Sequence, residues 1–150
     1  MKNRQRGVAI VEFALVLPFL LLLTFITTEF GRAIWQYNTL TKSVRDSVRY
    51  LSIQTPGDLV AIEKARNLTV YGRPVLTSAL NGTEKPLAIG LSTSNVPAPT
   101  WQTAGSGPVI NTVTVRITGY TFNSMFATAF GVPFGAITFS DITATMRSYL

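Results

Sequence analysis

The sequence predicts an α+β protein in which a long N-terminal helix packs on a small C-terminal head. An apolar run fills residues 8–28, a heptad-like stripe continues from it, and the hydrophobic period changes to two after residue 109. We therefore expect four parts, which are a basic leader at 1–7, a transmembrane helix at 8–28, an amphipathic stem helix at 29–55, and an extracytoplasmic head at 56–150 with a short helix and two or three antiparallel strands.

The composition argues against enzyme chemistry. The 150 residues include no Cys and no His, which removes disulfides, thiol nucleophiles, imidazole bases and the usual zinc ligands. The sequence also has no Gly-rich phosphate loop and no paired acids typical of a catalytic dyad. We expect no enzyme activity and no cofactor, and we predict no metal-ligating residue, while binding of a metal by the head stays open. The net charge is +6, of which Lys2, Arg4 and Arg6 supply half, and the dispersed remainder does not indicate nucleic-acid binding.

The apolar run has the length of a membrane span. As a helix, residues 8–28 would extend about 32 Å, close to the thickness of a bilayer core. Three interpretations compete, namely a cleaved secretory signal, a plain signal anchor and a processed membrane helix. The run is too long for a secretory signal, and residues 26–30 offer no small-residue cleavage site. The basic leader predicts a cytoplasmic N-terminus and a single-pass protein of the inner membrane.

Glu12 is the only charge inside the apolar run. A carboxylate within a membrane helix costs about 2.5–3.5 kcal/mol, and less where it can snorkel to the headgroups. Glu12 therefore either snorkels or awaits a cation within the membrane. If a peptidase cuts after Gly7, Val8 gains a free α-amino group and Glu12 becomes the fifth residue of the mature chain. The ammonium and the carboxylate of different subunits can then neutralise one another.

A longer motif covers residues 6–18, with the string RGVAIVEFALVLP followed by leucines. It resembles the N-terminus of the TadE/TadF-like minor pilins, or pseudopilins, of tight-adherence (Flp, type IVc) pilus systems. Residues 29–32 resemble this family's exit from the membrane, and Arg45 and Arg49 resemble its following arginine-bearing helix. The resemblance is specific over residues 6–50 and loose over the rest of the chain.

The resemblance implies a role in pilus assembly. A prepilin peptidase would cut between Gly7 and Val8, and Glu12 would be the intersubunit charge partner. The partners would be other pilins and minor pilins, the pilus assembly platform and the inner membrane, in the service of surface attachment and biofilm formation. The alternative is a permanently anchored single-pass protein whose head binds a ligand or partner. The choice between the TadE and TadF branches, and between tip, shaft and base of a pilus, stays open.

Pro18 predicts a kink in the membrane helix. Its ring clashes with the carbonyl of Ala14 and it lacks a backbone donor, and membrane helices tolerate both effects. The kink is either an ordinary membrane proline or a flexible point that helps the helix leave the bilayer.

The stem carries one apolar stripe with alternating steps of four and three residues. This stripe predicts a single helix from Val8 to Gln54, with Trp35 and Tyr37 near the membrane interface. We expect the stripe to pack on the head and, in part, on other subunits; its members are Phe30, Ile34, Tyr37, Thr41, Val44, Val48 and Leu51.

The head begins with a short helix. Asp58 is a good N-cap and Gly72 a plausible C-cap, which predicts a helix with Leu59, Ile62, Ala65 and Leu68 or Thr69 on its buried face. Asn81-Gly82 predicts a hairpin between residues 75–80 and 87–91. Residues 96–101 are expected to form a loop that Trp101 pins to the core.

The end of the chain has the period of strands. Val113, Val115 and Ile117 alternate with polar residues, which predicts a strand with one buried face, and Tyr120 and Phe122 extend it after Gly119. A loop at 105–108 precedes it and an apolar, Gly-broken connection at 126–135 follows it. A last strand is expected over 137–149, with Ile142, Ala144 and Met146 on one face.

Overall fold

A computed structural model describes residues 3–105, 110–125, 128–129, 132–133 and 135–149. The helices are α1 (Asn3–Leu51) and α2 (Leu59–Tyr71). The strands are β1 (Thr100–Ala104), β2 (Ile110–Ile117), β3 (Thr121–Phe122), β4 (Thr128–Ala129), β5 (Val132–Pro133), β6 (Ile137–Thr138) and β7 (Ile142–Arg147). This architecture confirms the predicted α+β class. Most of the predicted 105–108 loop and much of the 126–135 connection lie outside the described residues.

Helix α1 has 49 residues, which corresponds to about 74 Å, and runs through Pro18 without a break in the helix. It ends at Leu51, three residues before the predicted end. The Ser52 carbonyl accepts the backbone N–H of Tyr149 at 3.0 Å instead of a donor from a further helical turn. A contact with the last strand therefore accompanies the early end of the stem.

The stem packs on the head through a face that differs in part from the predicted stripe. The prediction was correct from Val44 to Leu51, where Val44, Val48 and Leu51 are fully buried. Phe30 and Ile34 are 61% and 53% exposed, so this part of the stripe does not pack on the described part of the head, and its contact with other subunits stays a prediction. In the first half of the stem, each buried residue lies one position before a member of the stripe. These buried residues are Glu29, Ala33, Gln36 and Leu40. Polar partners on the head bind two of them, so the head selects a face that hydrophobicity does not mark.

Helix α2 has both predicted caps. The Asp58 side chain accepts the backbone N–H of Val60, and Gly72 adopts a left-handed conformation with φ 72°. The predicted buried face was right for Ala65 and Thr69 but wrong for Leu59, which is 79% exposed. The Thr69 hydroxyl lies 2.7 Å from that of Ser47 on α1, so small and polar side chains line the contact between the two helices.

The predicted hairpin around Asn81-Gly82 was wrong. Residues 75–91, all of which the structure describes, contain a 3-10 turn and no strand. The Leu87 N–H donates to the Val70 carbonyl at 2.8 Å, and the Asn67 side chain donates to the Val75 carbonyl at 2.9 Å. The segment therefore bonds to α2 instead of pairing with itself, although Gly82 does adopt a positive φ of 73°.

Three antiparallel strands form the main sheet, in the order β1-β2-β7. The predicted alternation in β2 is confirmed, because Val113, Val115 and Ile117 are buried against the stem and the rest of the core. The loop predicted over residues 96–101 was wrong at its C-terminal end, because Trp101 lies in β1 and pairs with Val113 of β2. A neighbouring strand, which the local sequence does not reveal, draws this segment into the sheet.

The predicted last strand is divided into two. Its first part, β6, pairs with β3, while its second part, β7, pairs with β2. Between them the Phe139 N–H donates to the Tyr120 carbonyl, and the Phe139 ring meets Tyr37 edge-on at 5.5 Å. The break therefore coincides with the contact of the Phe139 ring with the stem.

Candidate functional site

The four residues singled out by the sequence lie along the first turns of α1. Gly7, Val8, Glu12 and Pro18 are all exposed, so the structure does not place them against the described part of the head. A Cβ atom added to Gly7 would meet no described atom within 4 Å, so packing does not explain a glycine there. Their roles in processing, assembly and kinking stay predictions.

The apolar part of α1 has the properties of a membrane-spanning helix. Among the described residues, α1 is the one helix long and apolar enough to cross a membrane, and its apolar window is fully unburied. Thr24, Thr27 and Thr28 each donate their hydroxyl to the carbonyl four residues earlier at 2.8 Å. These bonds satisfy the three hydroxyls within the helix, which makes them compatible with an apolar surrounding.

A polar cluster joins α1 to the head where the apolar run ends. We call it the exit cluster, and it consists of Glu29, Arg32, Phe122, Asn123 and Met125. The Arg32 guanidinium forms a bidentate pair with the Glu29 carboxylate, at 3.3 and 2.9 Å. It also donates to the Asn123 carbonyl at 2.7 Å and lies 4.3 Å from the centre of the Phe122 ring. The Glu29 carboxylate in turn accepts the Met125 N–H at 3.2 Å.

Sequence reasoning missed the exit cluster as a structural unit. It singled out residues 29–32 only through their resemblance to a family motif. The local signal is an acid followed three residues later by a base, and such a pair usually reports an exposed surface contact worth a few tenths of a kcal/mol. Here Glu29 is buried and Arg32 is mostly covered, so the same spacing forms an anchor for a loop 91 residues away.

A second polar contact lies one turn further along the stem. The Tyr120 hydroxyl lies within 3.0 Å of both the Gln36 side-chain oxygen and the Ile89 carbonyl. Burial raises the pKa of the Tyr120 phenol, an effect that the positive charge of Arg32 partly opposes. The phenol therefore stays protonated at neutral pH and holds the Ile89 segment and the stem together.

From the exit cluster onward, α1 keeps an exposed apolar surface. Phe30, Ile34 and Trp35 are more than half exposed, and they continue the apolar surface of residues 8–28 by about two helical turns. Among the described residues, α1 thus has an exposed apolar surface, and the exit cluster attaches the head to α1 where the apolar run ends. Such an arrangement suits assembly through the helix.

Comparison with known proteins gives one family. The family model described as TadE-like protein matches residues 7–49, from the predicted processing site to the last turn of the stem. No curated protein and no solved structure matches the chain. The family suggests a pilus-associated minor pilin and implies association with the tight-adherence machinery in the membrane, and the long apolar helix is compatible with a single-pass membrane protein. The match confirms the resemblance drawn from residues 6–18, and over its N-terminal helix, residues 7–49, the chain is similar to the TadE-like family.

Proposed function

We propose that this protein is a minor pilin, or pseudopilin, that takes part in assembling or initiating a tight-adherence pilus for surface attachment and biofilm formation. The TadE-like match over residues 7–49 carries the proposal. Its start at Gly7 coincides with the proposed processing site, and its length covers the helix that would enter an assembly. The role is structural, and we propose no catalytic step.

The proposed pathway begins in the inner membrane. The basic leader keeps the N-terminus in the cytoplasm, which places the head on the outer side. A prepilin peptidase then cuts after Gly7. Residues 7 and 8 are helical and exposed. To bind the peptidase as an extended backbone, the chain would have to unwind only the first turns of α1. This unwinding would break no contact with the described part of the head.

Assembly would follow from the new N-terminus. The α-amino group of Val8 in one subunit would pair with the Glu12 carboxylate of another, which removes two isolated charges from an apolar surrounding. The exposed face of α1 supplies the rest of the contact with other pilins and with the assembly platform. The exit cluster keeps the head attached to the stem throughout.

The test of the function is the mature N-terminus. The full-length protein, extracted from membranes of cells with and without the prepilin peptidase, is examined by intact mass and N-terminal sequencing. We expect a chain that starts at Val8 only when the peptidase is present. A start at Met1 or Lys2 under both conditions would contradict the proposal and leave the alternative, a permanently anchored protein with a partner-binding head.

Gly7→Arg should abolish this processing while leaving the protein in the membrane. A side chain at Gly7 would crowd the extended backbone in the peptidase cleft, whereas the membrane helix from Val8 onward is unchanged. Western blotting of membrane fractions separates the two forms by size. Gly31→Arg is the matched control, because it adds the same side chain to an equally open position on the same helix, and it should be cut normally. Normal cleavage of the Gly7 variant would refute the site.

Glu12→Gln should leave membrane insertion intact and weaken co-assembly. The amide keeps the shape of the side chain but not the charge that would neutralise the Val8 ammonium. We expect about a tenfold loss of co-purified partner pilins, equivalent to ~1.4 kcal/mol. Asp46→Asn, which removes an exposed carboxylate from the stem, is the control and should have no effect. Equal recovery of partners with both variants would exclude Glu12 as the charge partner.

A further inference from the structure

We propose that the base of the head rests on the membrane surface, where Met125 and Ile137 contact lipid beside the helix exit. The base of the head is defined here as Met125, Gly135 and Ile137. The inference rests on the membrane span of α1, but it requires neither processing after Gly7 nor assembly into a pilus.

The exit cluster sets the height of the base along α1. The Met125 N–H lies 3.2 Å from the carboxylate of Glu29, and the Asn123 carbonyl lies 2.7 Å from the guanidinium of Arg32. Glu29 follows the last residue of the predicted span, Thr28, by one helical step of about 1.5 Å. Met125 is therefore held at the level where the apolar run meets the headgroups.

A cavity brings the base closer still to the membrane. Its volume is about 220 Å³, and its walls include Ile26 and Phe30 of α1 and Gly135 and Ile137 of the head. Ile26 belongs to the predicted span and lies about 3 Å inside its end. The polar layer on each side of a bilayer is about 5–7 Å thick. Ile137, which lines the same cavity as Ile26, is therefore held at the level of that layer.

The side chains of the base have the chemistry of a lipid contact. Met125 is 71% exposed and Ile137 41% exposed, and the exposed rings and chains of Phe30 and Ile26 lie on the helix beside them. The two charges of the exit cluster, Glu29 and Arg32, are paired with one another. Exposed apolar groups that surround the emergence of a membrane helix are in contact with lipid unless something displaces it. The continuity of this surface with the span selects the bilayer as its partner.

The contact would give the helix a preferred orientation. The rotation and tilt of a single membrane helix are set by its contacts at the interface, and a base docked on one side of the exit favours one rotation. Removal of the subunit from the membrane would then have to strip the base from lipid as well as withdraw the helix.

The experiment uses single cysteine variants of the full-length protein, which has no native Cys. Met125→Cys and Ile137→Cys carry the environment-sensitive fluorophore NBD, in nanodiscs of phosphatidylethanolamine and phosphatidylglycerol. Ile53→Cys is the exposed control just past the end of α1, and that end, Leu51, lies about 33 Å along the helix from Glu29. Leu15→Cys reports on the middle of the span. Near-UV circular dichroism checks that each labelled protein keeps the tertiary structure of the parent.

We expect the emission maximum of NBD at positions 125 and 137 to lie at a shorter wavelength than that of NBD at position 53. The labels at 125 and 137 should lose fluorescence to spin-labelled lipids whose label is near the headgroup, and less to lipids labelled at the chain end. The label at 15 should show the opposite preference. Labels at 125 and 137 that behave like the label at 53 would overturn the proposal, as would a blue emission that lipid quenchers do not reduce, because protein would then cover the base. If the NBD label at position 15 reports an aqueous environment, the membrane span is refuted, and the proposed function with it.

Discussion

Leu40→Ala is expected to lower the free energy of unfolding by about 3–4 kcal/mol. Leu40 is fully buried within the core that the stem shares with α2 and the sheet. Its truncation removes contacts and leaves a cavity that two rigid helices cannot easily close. Urea unfolding of the full-length protein in a nonionic detergent, followed by near-UV circular dichroism, measures the loss.

The control for Leu40 tests which face of the stem meets the head. Ile34→Ala removes a similar volume from the same helix, but Ile34 is exposed, so the change should stay within about 0.5 kcal/mol. A stem that packed on the head along the whole apolar stripe would give the opposite result, because the stripe includes Ile34 and omits Leu40. A larger effect at Ile34 than at Leu40 would show that the stem packs in the register of the stripe.

Arg32→Ala is expected to destabilise the protein by about 2–3 kcal/mol. Loss of one partner from a fully buried ion pair costs about 3–5 kcal/mol, and the partial exposure of the Arg32 side chain reduces this figure. The variant leaves the buried Glu29 carboxylate without its cation and the Asn123 carbonyl without its donor. The same unfolding experiment measures the effect, and faster amide exchange at residues 122–125 should accompany it.

Two further variants separate the pair from the general loss of an arginine. Arg45→Ala removes an exposed guanidinium from the same helix and should change stability by no more than about 0.5 kcal/mol. The double variant Glu29→Ala with Arg32→Ala should be less destabilised than the two single changes added together, because neither charge is left alone. Additive effects would show that Glu29 and Arg32 act independently and that the exit cluster is not a unit.

Local chemistry made several elements predictable. Asp58 and Gly72 delimit α2 because a side-chain acceptor and a residue tolerant of positive φ are needed at those two ends. Val113, Val115 and Ile117 marked β2 because alternation places them on one face. The long N-terminal helix was predictable from its continuous apolar run, whose length and composition are compatible with a membrane span.

The exit cluster was not predictable from residues 29–32. Its meaning depends on Asn123 and Met125, which contact α1 although they lie more than 90 residues away in the chain. Gln36 is a similar case, because a polar residue in a stem is ordinarily expected to face water, and only the hydroxyl of Tyr120 explains its burial. The signal in each case lies with the distant partner and not with the residue itself.

The sequence by itself determined the long N-terminal helix, its exposed apolar portion, the motif from Gly7 to Pro18 and the short capped helix of the head. Each of these follows from interactions within a few residues or from transfer of a continuous apolar segment out of water. Only the tertiary structure decided which face of the stem is buried, that residues 75–91 follow α2, and that the last predicted strand divides at Phe139. Those choices depend on hydrogen bonds and contacts between segments far apart in the chain, and hydrophobic periodicity does not encode them.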